Sequence, residues 1–361
     1  MKLFLLLVST LIIFSCTSQN IKIADNKEAF ERMDIDQQSV VATNFKNSFL
    51  YEQFDKWRIE GPIIPGLQQT VVPQGMAYWE EKNLMVISNY MSDDTAGTLT
   101  VINMGDETFY KVLYLFNADK TPHIGHLGGV AISSRYLWIA SGSGIYFIDL
   151  KTILDTTTKS KIYLPELIET ETKGSFSTFS NNILWIGEFT RENGSYSVPE
   201  SHHIVTRDSS SHRGWLGGYK LDALTDMINM ENTINGKIIP DYIFSIPDEI
   251  QGAVFIHDKI LLSASYGRKN YSRLLLFHNP MEEKYHKDFN TVFKTDIPFW
   301  FLDNINKIGE INVPPMSEAA TVYQNTIAVL FESASSKYRD TASFPLDRIQ
   351  FLTLDVFGVE Q

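Results

Sequence analysis

A short apolar run, a polar turn and a second apolar run recur five times along the chain. The copies are QGMAYWEEKNLMVISNY (74–90), GGVAISSRYLWIASGS (128–143), GSFSTFSNNILWIGEF (174–189), QGAVFIHDKILLSASY (251–266) and EAATVYQNTIAVLFES (318–333). Each opens on a small or amide-bearing residue and turns through polar residues such as Glu80-Glu81-Lys82-Asn83 or Ser180-Asn181-Asn182. Short β-branched and aromatic runs flanking such turns predict hairpins. A third run follows each hairpin: LTVINM (99–104), IYFIDL (145–150), GGYKLD (217–222), LLLFHN (274–279) and QFLTLD (350–355). A fourth is expected at FYKVLYLF (109–116), KIYLPEL (161–167), DYIFSIPD (241–248) and FKTDIPFWFL (293–302).

Four strands per repeated unit is the pattern of a β-propeller blade, so the fold class expected is all-β, a single propeller. The fifth copy lacks a fourth strand, and WRIEGPII (57–64) stands unused before the first. Placing it on the last blade closes the ring and removes its exposed edges. Five blades leave no strand over. The alternative is six, with a degenerate blade hidden in 190–216 or 280–310.

This topology locates a site before any motif is invoked. Inner strands begin, and second strands end, at one mouth of the central channel. Strand starts bring Gln74, His126, Gln251 and Glu318 there. Eleven residues separate Ala77 from Ser88, Ser177 from Glu188, Val254 from Ser265 and Thr321 from Glu332. The aligned ends are therefore Ser88, Ser141, Glu188, Ser265 and Glu332, with Asn89 and Tyr266 beside them. Carboxylates crowded into one funnel raise one another's pKa, which suits acid–base work. Two long connections, 190–215 and 333–348, follow Glu188 and Glu332. The first holds His202, His203 and His212; the second holds Lys337, Tyr338, Arg339 and Arg348. Arg268, in SASYGRKNYSRLLLF, suits an anionic group through its planar fork.

Composition narrows the class. A formal charge of -12 argues against nucleic acid or an anionic membrane surface as partner. The 23 Phe, 16 Tyr and 6 Trp describe a well-packed globular body. No P-loop, dinucleotide glycine fingerprint, HExxH, EF-hand loop or GxSxG elbow occurs. Gly142-Ser143-Gly144 reads as a hairpin turn.

The first residues, MKLFLLLVSTLIIFSC, form an apolar run too short to span a bilayer. Ile13-Phe14-Ser15-Cys16 resembles the lipobox of bacterial lipoproteins, which implies acylation of Cys16. As the single cysteine, Cys16 leaves no disulfide, thiol nucleophile or thiolate metal site elsewhere. The expected organisation is a signal peptide (1–15), a lipid-anchored tether and cap (16–54) and the propeller (55–361). The protein is expected to be a monomer in the cell envelope, held to a membrane by its lipid.

The strings IPGLQQTVVPQGMAY, GHLGGVAIS, LWIGEF, ESHHIVT, IPDEIQGAVF, LSASYGRKNYS, PPMSEAA and LFESASSKYR resemble a family of secreted bacterial propeller proteins, which implies the fold and no particular reaction. More distantly the chain is similar to gluconolactonase and strictosidine-synthase-like propellers, whose axial acidic and amide residues imply a divalent cation such as Ca2+. Gln74 stands here where those enzymes carry glutamate.

Three functions follow as expectations. The first is action on an extracellular acidic carbohydrate in the manner of a glycoside hydrolase. Glu188, Glu318 and Glu332 would be acid and base or nucleophile, assisted by His126 and His203 or His202. Gln74, Asn89, Gln251, Ser265, Tyr266, Arg268, Lys337 and Arg339 would bind substrate. The second is a metal-dependent lactonase or lyase using Gln74, His126, Glu318 and His202. The third is a glycan-binding or scaffold propeller without catalysis.

Overall fold

Each recurring hairpin forms the two inner strands of its own antiparallel sheet in the computed structural model, which describes residues 34–41, 49–192, 194, 196–289 and 296–359. The chain divides after Asp34, and the unit Ile35–Gln361 holds all the strands described. The expected signal peptide (1–15) and Cys16 lie outside the described residues.

Blade 1 runs Val71–Trp79, Leu84–Met91, Thr98–Asn103 and Thr108–Phe116 from the axis outward. Blade 2 runs Gly129–Ile132, Tyr136–Ser141, Gly144–Asp149 and Ile168–Glu169. Blade 3 runs Phe176–Ser180, Ile183–Gly187, Gly214–Lys220 and Tyr242–Ile246. Blade 4 runs Ile250–Ile256, Lys259–Ala264, Ser272–His278 and Lys307–Val313. In blade 5, Ser317–Tyr323, Thr326–Phe331 and Arg348–Leu352 are completed by Ile59–Ile63 from the other end of the chain. The protein is thus a five-bladed propeller closed by its N-terminal strand. The long insertion at 280–310 holds no sixth blade among the described residues.

Two outer strands differ from expectation. Residues 161–167 do not finish blade 2: Ser160–Tyr163 pairs in parallel with Thr108–Phe116 and extends blade 1. Residues 293–302 do not finish blade 4: Ile297–Phe301 pairs in parallel with Tyr242–Ile246 and extends blade 3. Its apolar run explains the choice. Phe299 and Phe301 pack with buried Trp215 and Ile243, while Trp300 joins Phe244. Lying between Tyr242–Ile246 and a further short strand, Lys287–Phe289, this run is buried, which rewards apolar residues more than a solvated outer strand would. The outer strand of blade 4, KIGEINV (307–313), is half polar and gives little apolar signal in sequence.

The core is not one mass but a series of apolar layers between neighbouring blades. Val86, Leu99 and Leu113 of blade 1 meet Val130, Leu137 and Ile139 of blade 2. The same arrangement joins Trp138 to Leu184, Trp185 to Leu262, and Leu261 to Val329. Ile87 and Met85 against Leu330 and Ala328 close the circle between blades 1 and 5. Within the stretch assigned above to tether and cap, Phe54 and Tyr51 are buried against blades 4 and 5. Ser39, Val40 and Val41 all donate to one carboxylate oxygen of Asp347.

Three inner strands carry a β-bulge at the same level. One residue is left unmatched between Pro73 and Gly75 and between Ile250 and Gly252, and two residues, Glu318 and Ala319, stand opposite Leu330 alone between Ser317 and Ala320. The residues so displaced include Gln74, Gln251 and Glu318. A bulge adds a residue on one strand and re-aims its side chain. Here the three bulges turn polar side chains toward the channel mouth. Glycine follows two of them because the inner strands converge: a Cβ on Gly75 would stand 2.6 Å from Gly129 Cα, and one on Gly252 2.9 Å from Glu318 O.

Candidate functional site

The mouth opens into a cavity of about 580 Å3, whose lining includes Gln74, Tyr90, His126, Gln251, Glu318 and Glu332. Glu332 follows the second strand of blade 5, and its backbone N–H donates to Met316 O, immediately before the inner strand, 3.1 Å away. That pairing turns its side chain inward to Glu318. The two carboxyl groups lie within hydrogen-bond reach of each other. Gln74 Nε2 donates to Glu332 Oε2 at 3.0 Å, and Gln251 Nε2 to Glu318 Oε1 at 3.4 Å. Gln74 Oε1 in turn lies 3.3 Å from His126 Nδ1.

Electrostatics separate the two acids. Burial, then the charge and hydrogen bond of Glu332, push Glu318 well above the carboxylate range. Burial also raises Glu332, but hydrogen bonds from Glu318 and Gln74 and the charges of Lys337 and Arg268 hold it at about 7. Two acids this close cannot both ionise cheaply, so the pair shares one proton at neutral pH. The stronger upward push falls on Glu318 and the weaker on Glu332.

An aromatic and cationic wall rises above the pair. Lys337 Nζ donates to Tyr90 Oη at 3.0 Å, and Tyr90 Oη lies 2.8 Å from Tyr338 Oη. The Arg268 guanidinium sits 4.8 Å from the Tyr338 ring centroid, and the Tyr90 ring lies 4.6 Å from that of His126. Arg268 makes no ion pair among the described residues; its guanidinium donates to Thr341 Oγ1 at 3.1 Å. Desolvation against the mouth and the Lys337 charge lower the His126 pKa, which favours its neutral form. On the opposite side Tyr266, 39% exposed, carries Arg191 at 3.4 Å over its ring. Phe189, Tyr196, Ser265 and Lys173 complete that side.

Several expected members stand elsewhere. Glu188 shares its offset with Glu332, yet it is 0% exposed and does not line the cavity. Its backbone N–H donates to Trp215 O of the third strand, not to the inner strand, which turns the side chain away from the axis. Its oxygens accept from Lys173 N at 3.1 Å and Trp215 N at 3.0 Å, and Oε2 also meets His202 Nδ1 at 2.9 Å. His202, also 0% exposed, stacks on Trp215 with ring centroids 3.5 Å apart. Its Nε2 faces Glu171 Oε1 at 3.5 Å. Burial opposes protonation of His202, but the hydrogen bonds and charges of Glu171 and Glu188 override it and raise its pKa. The cluster anchors the 190–215 loop instead of facing a ligand.

His203 is exposed and lines no part of the cavity. Asn89 is buried inside blade 1, where it donates to Thr98 and Thr100 hydroxyls at 3.2 Å. Arg339 turns beneath its loop to Leu67 O at 3.3 Å. Ser88 and Ser141 brace the mouth backbone by donating to Leu127 O and His126 O at 2.8 and 2.6 Å. Sequence reasoning did not single out Tyr90 or Tyr338 as ligand-facing. Tyr90 closes the first repeat immediately after the aligned Ser88 and Asn89, which is the signal that points to it.

The expected metal set of Gln74, His126, Glu318 and His202 does not assemble, since His202 lies in the Glu188 cluster. Among the described residues no group of three or more His, Cys, Asp or Glu converges as a cation would require. Gln74 presents an N–H, not an oxygen, to Glu332. The side chains at this mouth are arranged around a proton and do not fit the implied cation.

Comparison with protein-family models gives no match, and comparison with curated proteins gives none either. Solved structures that resemble the chain include a glutaminyl cyclase from Myxococcus xanthus, at 8% identity and a TM-score of 0.35, covering 82% of this chain and 95% of that one. The Dos1 propeller is similar at 12% identity and a TM-score of 0.30, covering 88% and 68%. Hydrazine synthase from Kuenenia stuttgartiensis matches at 7% identity and a TM-score of 0.34 over 79% of this chain, which spans only 58% of that chain. Likenesses at this level say nothing about chemistry.

Proposed function

We propose that the funnel carries out proton-transfer chemistry on an acidic carbohydrate, cleaving it by elimination beside a carboxylate. The observation that carries this reading is the Glu318–Glu332 pair, held by Gln251 and Gln74 at a mouth that also carries Arg268, with the charges of Arg268 and Lys337 acting on Glu332. Hydrolysis by two opposed carboxyl groups needs them roughly 5–9.5 Å apart. These two touch through a hydrogen bond, and Glu188 is elsewhere, so elimination replaces hydrolysis as the favoured route.

The step balances within the pair. Glu332, as carboxylate, removes the hydrogen from the carbon next to the substrate's carboxylate. That C–H electron pair becomes a C=C bond, the neighbouring C–O bond breaks, and the leaving oxygen takes the proton of Glu318. The pair ends with its single proton on Glu332, and a shift across the shared hydrogen bond resets it. Arg268 neutralises the substrate carboxylate, which acidifies the adjacent C–H.

Uronate-containing oligosaccharides test this directly. Cleavage by elimination leaves an unsaturated sugar that absorbs in the ultraviolet; new reducing ends without that absorbance would contradict it. Tight binding of the oligosaccharide in calorimetry without turnover would instead favour the non-catalytic propeller.

We place this activity in the cell envelope, on a lipid anchor at Cys16. No helix among the described residues is long and apolar enough to cross a membrane. Metabolic labelling with a fatty-acid analogue should mark the wild type and be abolished by Cys16→Ser. Label retained by that variant would remove the anchor from the account.

A further inference from the structure

We propose that the Tyr338 hydroxyl is a hydrogen-bond donor to the substrate's carboxylate, with its proton aimed into the funnel by the chain Lys337–Tyr90–Tyr338. This rests on the acidic-carbohydrate reading above and names the group that receives the acid function.

Donor counting carries the argument. Lys337 has only donors, so in the 3.0 Å contact Tyr90 Oη is the acceptor. Tyr90 is buried, and its hydroxyl has two partners among the described residues, Lys337 and Tyr338. A buried hydroxyl is rarely left without a use for its proton. If Tyr338 donated to Tyr90, the Tyr90 proton would have no acceptor. The 2.8 Å contact therefore runs from Tyr90 to Tyr338. Tyr338 is then an acceptor there, and its own O–H has no partner within the described protein. Tyr338 lines the cavity beside Glu332.

The surroundings suit an anion as acceptor. Lys337 Nζ stands 5.3 Å and the Arg268 guanidinium 4.8 Å from the Tyr338 ring centroid. Hydrogen bonds in series polarise one another, so the Lys337 charge at one end strengthens the donor at the other. Tyr338 stays protonated across the working range, held up at about 12 by burial and by the Glu332 charge. A neutral donor between two cations stabilises the negative charge that gathers on a carboxylate as its neighbouring carbon loses a proton.

The test compares methyl glucuronide with methyl glucoside, which lacks the carboxylate, by calorimetry on the full chain. Wild type should bind the glucuronide at least about tenfold more tightly, and Tyr338→Phe should remove about tenfold of that while leaving the glucoside unchanged, the size of one charge-assisted hydrogen bond. Tyr90→Phe should weaken the glucuronide by a smaller factor, since Tyr338 keeps its proton. Equal affinity of wild type and Tyr338→Phe for the glucuronide overturns the assignment. So does a parallel loss for both sugars, or no glucuronide preference in wild type. Glucuronide binding through Tyr338 without elimination would retire the acid–base reading alone. Elimination that is indifferent to Tyr338→Phe would retire this inference alone.

Discussion

Glu332→Gln should lower turnover of a uronate-containing oligosaccharide by about 10²–10⁴-fold, the usual worth of a positioned general base. The amide keeps the shape and still reaches Gln74 and Glu318, but it cannot take a proton from carbon. Wild-type rate should rise with pH through about 7 as Glu332 ionises, since the base must be deprotonated to act. The variant should lose that rising limb along with its rate. Stability should move the other way. An acid whose folded pKa is raised binds its proton more tightly folded than unfolded, so ionisation between about 4.5 and about 7 costs stability. The neutral amide escapes that cost, so the variant should melt above wild type at pH 8 and level with it at pH 4. A variant with near-wild-type rate, or a pH profile still rising through 7, would assign the base elsewhere.

Glu188→Ala should cost about 3–5 kcal/mol of folding stability, the penalty for stripping one partner from a buried pair. It would take from Lys173 N and Trp215 N the acceptor that Glu188 supplies, and from His202 its 2.9 Å partner. The pH dependence has a definite sign. His202 has a raised folded pKa, so its contribution is complete below its unfolded value near 6.5 and fades as pH rises through the folded value. Denaturant midpoints of wild type should fall across that window, and Glu188→Ala should flatten the fall. A loss under 1 kcal/mol with the pH dependence intact would mean the cluster does not hold the 190–215 loop.

The contrast between Glu188 and Glu332 shows how much of the site was legible in sequence. Their common offset was visible, as were the five hairpins and the strand that closes the ring. Side-chain direction was not. It depends on whether the backbone beyond the second strand stays bonded to the segment leading into the inner strand, as Glu332 does to Met316, or continues along the third, as at Glu188. The bulges at Gln74, Gln251 and Glu318 were half legible, since QG, QG and EA open three copies at one place. What sequence cannot give is the register slip that turns those residues to the axis. The outer strands failed for a different reason. Apolar content picks out buried strands, and Ile297–Phe301 is buried between Tyr242–Ile246 and Lys287–Phe289, while the true outer strand of blade 4 is half polar. Tyr338 lies in a polar loop whose composition gives no hint of which hydroxyl faces a ligand.

All of the proposed chemistry depends on one shared proton. Isotope-edited infrared spectroscopy of the carboxyl groups, with Glu318→Gln and Glu332→Gln as assignments, reads it without a substrate. The expected result is a protonated carboxyl band that persists through neutral pH, and a second carboxyl titrating near 7 that disappears in Glu332→Gln. Both carboxyls ionising in the ordinary range near 4–5 would contradict the account.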